Sequence, residues 1–205
     1  MIARFWPVAA VVGENGAFYF RYDHNTRTMM RVFADDGATR AASNRRLHQL
    51  RAEILQAVPG AAVAADQSYR HADLAIDFRE DVAPLSEHEV EKIVELFEQA
   101  GAVAKVSSIH VNGWFGDHSK LTMTRRLLRN EFALDLEHAD GQLACAFIGD
   151  SANDSEMFAA VHNSVGVANL LGQIERCHAL PAWITKNSSG EGFCEFARYL
   201  LAARD

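Results

Sequence analysis

The sequence predicts an α/β protein with a parallel-sheet core and an inserted α+β module, and three observations lead there. Residues 143–148, 164–168 and 182–185 are short, almost wholly apolar runs separated by helical or loop segments. Strands of that kind, joined by helices, belong to a parallel sheet covered on both faces. The upstream half is patterned differently, with alternating strands, a hairpin and two amphipathic helices. Finally, 205 residues with 49% apolar and 23% charged side chains, four prolines and thirteen glycines suit a chain that buries a core, which rules out disorder and a fibre. The core is placed at residues 112–205, joined by residues 1–16, and the module at residues 17–111.

The elements follow in order. Residues 9–12 read as a short buried strand and, after Glu14-Asn15-Gly16, residues 17–22 as another. Its hairpin partner is 28–33, with Asp23-His24-Asn25 as the turn. Leu47, Leu50, Ile54 and Val58 recur at helical spacing until Pro59-Gly60 stops the run. Residues 72–78 alternate as a strand. Ser86 with Glu89 forms a capping box that opens a helix closed by Gly101, with Val90, Ile93, Val94 and Phe97 as its apolar face. A strand is expected over 103–111, ended by Asn112-Gly113, and a helix near Ser119 turns Met123, Leu127 and Leu128 inward. The last helix covers 193–203.

The charge balance of 20 Lys+Arg against 27 Asp+Glu, a net −7, argues against a general nucleic-acid binder, which needs cations to displace the counterions of the phosphate backbone. Cys145, Cys177 and Cys194 are far apart, lack a CxxC and are odd in number, which disfavours a disulfide framework and suggests a cytoplasmic setting. The longest apolar run, residues 5–12, contains Pro7, whereas a membrane span needs roughly twenty residues. No partner of membrane or nucleic-acid type is expected.

Chemistry concentrates in Phe147-Ile148-Gly149-Asp150-Ser151-Ala152-Asn153-Asp154. A buried strand delivers Asp150 to its carboxyl end, where open α/β sheets bind ligands, and a helix begins at once. Asp150 and Asp154, supported by Ser151 and Asn153, can hold a hard divalent cation such as Mg²⁺. The same residues also make an ordinary helix N-cap, so both readings stand at this point. Lys120 opens a helix after the loop 113–119, a place where a lysine can neutralise a phosphate that the helix N-terminus also attracts.

The order of an ENGA turn, an inserted module, a loop lysine, strand-GDSANDSEMF, SVGVANL, a PAWIT strand and GEGF resembles the haloacid dehalogenase-like phosphatases. The nearest branch is the one with Cof-like, sucrose-phosphatase-like and mannosyl-3-phosphoglycerate-phosphatase-like members. The resemblance spans nearly the whole chain and is most specific around Asp150. It implies a Rossmann-like core with an α/β cap over 17–111, and a Mg²⁺-dependent phosphomonoesterase acting on a small phosphorylated metabolite such as a sugar phosphate. It gives Lys120 the steadying of the phosphate, Asp150 and Asp154 the metal, and Asn153 a place beside them.

One departure matters. The family's nucleophile is the first Asp of a DxDxT motif ahead of the ENGA turn, and the 13 residues before Glu14 contain no Asp, Ser or Thr. The expectation is therefore a core incomplete at its N-terminal strands, a truncated chain with no nucleophile of its own and little activity alone. Open strand edges left by a missing central strand would favour self-association. Asp23-His24-Asn25-Thr26 has the outline DxNxT but reads as the hairpin turn. The alternative to an enzyme is a non-catalytic module that binds a phosphorylated ligand or another protein. Residues 21–51 carry seven Arg and three Asp, which could draw in an anion, although Arg45, Arg46 and Arg51 fit the solvated face of a helix. His71, His110 and His118 fall near module strands without zinc-ligand spacing.

Overall fold

A computed structural model describes residues 1–203. The chain forms two compact units, Met1–Met123 and the residues from Thr124 onward. Among the described residues no helix is long and apolar enough to cross a membrane.

The first unit opens with the short helix α1 (Ile2–Phe5) and the strands β1 (Val11–Gly13), β2 (Phe18–Asp23) and β3 (Thr28–Phe33). These form an antiparallel sheet in the order β1-β2-β3. The β2–β3 hairpin, predicted from the sequence, pairs Phe18 with Phe33 and Asp23 with Thr28. Its turn is closed by Asp23, whose Oδ1 accepts the N–H groups of Asn25 (2.8 Å) and Thr26 (3.2 Å). Those hydrogen bonds hold the Asp23 carboxyl below its ordinary range. The DxNxT outline is thus an Asx turn. β1 pairs with β2 inside this unit.

The rest of the unit is α2 (Gly37–Ala57), β4 (Ala62–Val63), β5 (Leu74–Asp77), α3 (Glu87–Gln99), β6 (Val103–Val106) and β7 (His110–Trp114). The four strands form an antiparallel sheet in the order β4-β5-β7-β6. Asp36 caps α2 by accepting the Thr39 N–H, and Ser86 and Glu89 close the capping box on α3 as expected. Leu47, Leu50 and Ile54 of α2 and Ile93 and Phe97 of α3 pack with Leu74, Ile76 and Val111 of the sheet in one core cluster. Each such side chain, buried from water, contributes about 1.5–3 kcal/mol.

Two expectations are corrected here. The run 103–111 is two strands, because Ser107 turns the chain: its Oγ accepts the His110 N–H at 3.0 Å and donates to the His110 carbonyl at 2.9 Å. Asn112-Gly113 lies within β7 and does not end a strand. The glycine is needed for packing, since a Cβ at Gly113 would lie 2.1 Å from the Phe97 ring.

The alternation of β5 and β7 gives the sheet a second, polar face. Ala75 faces Asn112 and Asp77 faces His110 across the ladder. Asp73, Asp77, His110 and Asn112 are all buried. Groups so placed must find partners or become costly.

The helix α4 (Lys120–Phe132) begins at the end of the first unit. Its start is fixed by reciprocal bonds, Thr122 Oγ1 accepting the Ser119 N–H at 2.8 Å and Ser119 Oγ accepting the Thr122 N–H at 3.2 Å.

The second unit holds α5 (Ala139–Ala144), β8 (Ala146–Gly149), α6 (Ser155–Ala160), β9 (Asn163–Gly166), β10 (Trp183–Ile184) and α7 (Ser189–Ala202). The strands form the predicted parallel sheet, in the order β10-β9-β8. β8 starts later than expected, because Leu143 and Ala144 belong to α5 and Cys145 is its C-cap. Met157, Phe158, Val161, Val165, Val167 and Leu170 are buried around the sheet.

Candidate functional site

β8 ends at Gly149, and the chain turns at Asp150 into a 3₁₀ turn over Ala152–Asp154 that leads directly into α6. The buried Asp154 organises this turn. Its Oδ2 accepts the N–H of Asp150 (3.0 Å), the N–H of Ser151 (3.2 Å) and the hydroxyl of Ser151 (3.3 Å). Capping is therefore the duty of this oxygen, and charge-assisted bonds of this kind are the stronger ones. Gly149 is small because Asp154 lies on it: a Cβ there would be 2.7 Å from Asp154 Oδ2 and 2.8 Å from its Cγ. Asp150 itself is exposed, while Ser151 and Asn153 are half-buried. Asp150, Ser151, Asn153 and Asp154 thus share one strand-end turn.

The later motifs meet that turn within the second unit. Asn169, at the end of the SVGVAN run, donates from Nδ2 to the Asp150 carbonyl at 3.3 Å and accepts the Ser189 N–H at 2.8 Å. One amide side chain therefore links the loop after β8 to the start of α7. Glu195 accepts the N–H groups of Lys186 and Asn187, each at 3.1 Å. Gly192 of the GEG run is required by close approach, since a Cβ would lie 2.4 Å from the Asn187 carbonyl oxygen.

In the first unit, Lys120 is the first residue of α4, as predicted. The ENGA turn lies against the residue before it. Glu14, Asn15 and Gly16 all have positive φ (46°, 53° and 98°), and a Cβ on Gly16 would stand 2.0 Å from the Ser119 carbonyl oxygen.

Glu14 has a duty that its sequence context does not announce. Its carboxylate accepts the N–H groups of three successive residues, His71 (2.8 Å), Ala72 (2.5 Å) and Asp73 (3.2 Å). Successive N–H groups of this kind make an anion-binding nest. Beside it, Asp73 accepts from Arg70 Nη1 at 3.1 Å, and the same nitrogen reaches Asn112 Oδ1 at 3.3 Å. Only the period-2 placement of Asp73 opposite the core face could have signalled this cluster. Of the histidines, His71 joins the rings of Phe18, Phe20 and Phe33, and His118 stacks on Trp114. Burial lowers the His118 pKa despite the nearby Asp35.

Burial pushes the Asp73 carboxyl up to about 6, against the pull of Arg70 and with help from Glu14. The unfolded chain releases this proton at the ordinary value of 3.8. Between 3.8 and about 6 the folded state therefore holds more protons, so this group's contribution to stability falls as pH rises through that window. Asp73→Asn is expected to remove that decline. Urea unfolding at pH 4 and at pH 7 checks it, and parallel pH profiles for the variant and the parent would contradict it.

Neither a protein-family model nor a curated protein matches the sequence. Solved structures do match its fold. A Thermoplasma acidophilum protein aligns with a TM-score of 0.63 at 19% identity, covering 97% of this chain and 75% of that one. A trehalose-6-phosphate phosphatase related protein aligns at 0.59 and 13% identity, covering 100% and 78%. A haloacid dehalogenase-like hydrolase from Bacteroides thetaiotaomicron aligns at 0.53 and 12% identity, covering 93% and 76%. With parallel strands, the acidic turn at the end of β8 and these likenesses together, the chain has the fold of the haloacid dehalogenase-like hydrolases.

Proposed function

We propose that this chain carries the cap and C-terminal core of a Mg²⁺-dependent phosphomonoesterase for a small phosphorylated metabolite. The observation that carries the proposal is the strand-end turn: an exposed carboxylate, Asp150, held in place by a buried one, Asp154. That donor set suits Mg²⁺, which binds through one or two carboxylates and keeps several waters. Asp150 supplies the ligand oxygen. Asp154, whose Oδ2 accepts from the Asp150 and Ser151 N–H groups and the Ser151 hydroxyl, fixes the turn, while Ser151 and Asn153 support the loop. When bound, the ion supplies charge stabilisation for phosphoryl oxygens. Lys120, at a helix start, balances phosphate charge.

The polypeptide 1–205 contains no Asp ahead of Asp23, and Asp23 is occupied in its turn. It binds phosphate in this proposal and turns over little by itself. Isothermal titration with inorganic phosphate, with and without Mg²⁺, tests both parts alongside p-nitrophenyl phosphate hydrolysis. Binding strengthened by Mg²⁺ only while Asp150 is present supports the metal assignment, and, separately, binding weakened about tenfold by Lys120→Met supports that of the lysine, since one charge-assisted contact is worth about 1.5–3 kcal/mol. Phosphate binding indifferent to Mg²⁺ overturns it. Magnesium-dependent turnover abolished by Asp150→Asn would refute the inactivity.

A further inference from the structure

We infer that the first unit carries a second cation site, for a borderline divalent ion such as Zn²⁺, formed by Asp77, Glu80 and His110. The polar face of the four-stranded sheet places Asp77 directly opposite His110 across β5 and β7. Both are buried, at 1% and 7% exposure, and Glu80 reaches them from the turn that follows β5. One ligand atom from each residue lies within 4.8 Å of the other two. Tetrahedral ligands at about 2.0–2.2 Å from an ion stand roughly 3.3–3.6 Å apart, so Glu80 Oε2 and His110 Nε2, at 2.8 Å, would part slightly to admit one.

The imidazole identifies this as more than an acidic turn. His110 Nε2 is buried and makes no hydrogen bond. Glu80 Oε2 is only 2.8 Å from it, so the oxygen is near but off the axis of a ring N–H. A buried ring nitrogen without a hydrogen bond is costly, and a nearby oxygen that misses its axis fits two lone pairs converging on one ion better than one proton shared between them.

The other groups are already positioned. Asp77 Oδ1 accepts the N–H groups of Arg79 (2.9 Å) and Glu80 (2.7 Å), and Oδ2 accepts that of Asp81 (2.8 Å), which leaves Oδ2 a second lone pair. The backbone of His110 is held by Ser107 on both its N–H and its carbonyl. Two of the ligands sit on paired strands and the third on an exposed turn. An imidazole with two carboxylates selects Zn²⁺ or a similar ion over Mg²⁺, which prefers oxygen alone. This site lies wholly within the first unit and does not rest on the phosphatase proposal.

The test is Zn²⁺ titration of the full 205-residue chain at pH 7.5, by calorimetry and by the visible band of Co²⁺ as a substitute ion. The expected result is a binding event that survives excess Mg²⁺, is unchanged in Asp150→Asn and is weakened at least about tenfold in Glu80→Gln and in His110→Gln. Zn²⁺ should also raise the unfolding temperature of the parent and raise that of both variants less at the same concentration. Because His110→Gln alters a buried position and could unfold the sheet, Glu80→Gln, on an exposed turn, decides the outcome once circular dichroism shows it folded. Zn²⁺ affinity equal to the parent's in folded Glu80→Gln overturns the site, as does an absence of Zn²⁺ binding in the parent. Either result leaves His110 and Glu80 as an ion pair only.

Discussion

Replacing Gly16 with alanine is expected to destabilise the first unit by about 3 kcal/mol, because two independent penalties coincide there. A left-handed conformation costs an L-residue with a Cβ roughly 1–2 kcal/mol, and φ at Gly16 is 98°. The second penalty is steric: the new methyl would sit 2.0 Å from the carbonyl oxygen of Ser119, and backbone cannot rotate away as a side chain can. The consequence extends to function. Ser119 caps α4 and Lys120 is its first residue, so pushing Ser119 aside displaces the lysine given the phosphate charge. Gly172→Ala is the control, since a Cβ there meets nothing within 4 Å. Urea unfolding of the three proteins checks the expectation. A Gly16→Ala protein as stable as the parent would contradict the close approach.

The second large effect belongs to Phe97 and Gly113. Phe97 is fully buried between α3 and the sheet, and its truncation to alanine should cost about 3–5 kcal/mol through lost burial and the cavity left behind. Gly113→Ala should cost about 1–3 kcal/mol by overpacking, because its methyl would stand 2.1 Å from the Phe97 ring. The two penalties have one cause. In the double variant the methyl enters the vacated space, so the combined loss should be at least about 1 kcal/mol smaller than the sum. A four-protein cycle by chemical denaturation measures this coupling, and strict additivity would mean that the two residues do not compete for that space.

Much of this architecture was legible because it depends on local chemistry. The hairpin strand 28–33, the Ser86–Glu89 box and Gly101 each specify a strand, a start or a stop within a few residues, and each appears where predicted. The parallel strands were legible from their apolar runs, though the edge at Leu143 was not, since apolar residues continue from α5 into β8. Asn112-Gly113 misled because its turn chemistry was overridden by a ring on another element. At the candidate site the sequence identifies Asp150 and Asp154 together but cannot divide their labour. That division follows from burial, which makes Asp154 the support and leaves Asp150 open to solvent. The Glu14 nest was invisible for a different reason: its acceptor and its donors are more than fifty residues apart, and the donors are backbone groups that carry no sequence signature.

The most direct test of the acidic turn after β8 as a cation seat is amide NMR of the 205-residue chain titrated with Mn²⁺, a paramagnetic substitute for Mg²⁺. Selective broadening of Gly149 through Ser155, reversed by excess Mg²⁺ and lost in Asp150→Asn, is the predicted outcome. Broadening absent from that turn, or unchanged when Asp150 loses its charge, would show that these residues cap a helix and nothing more.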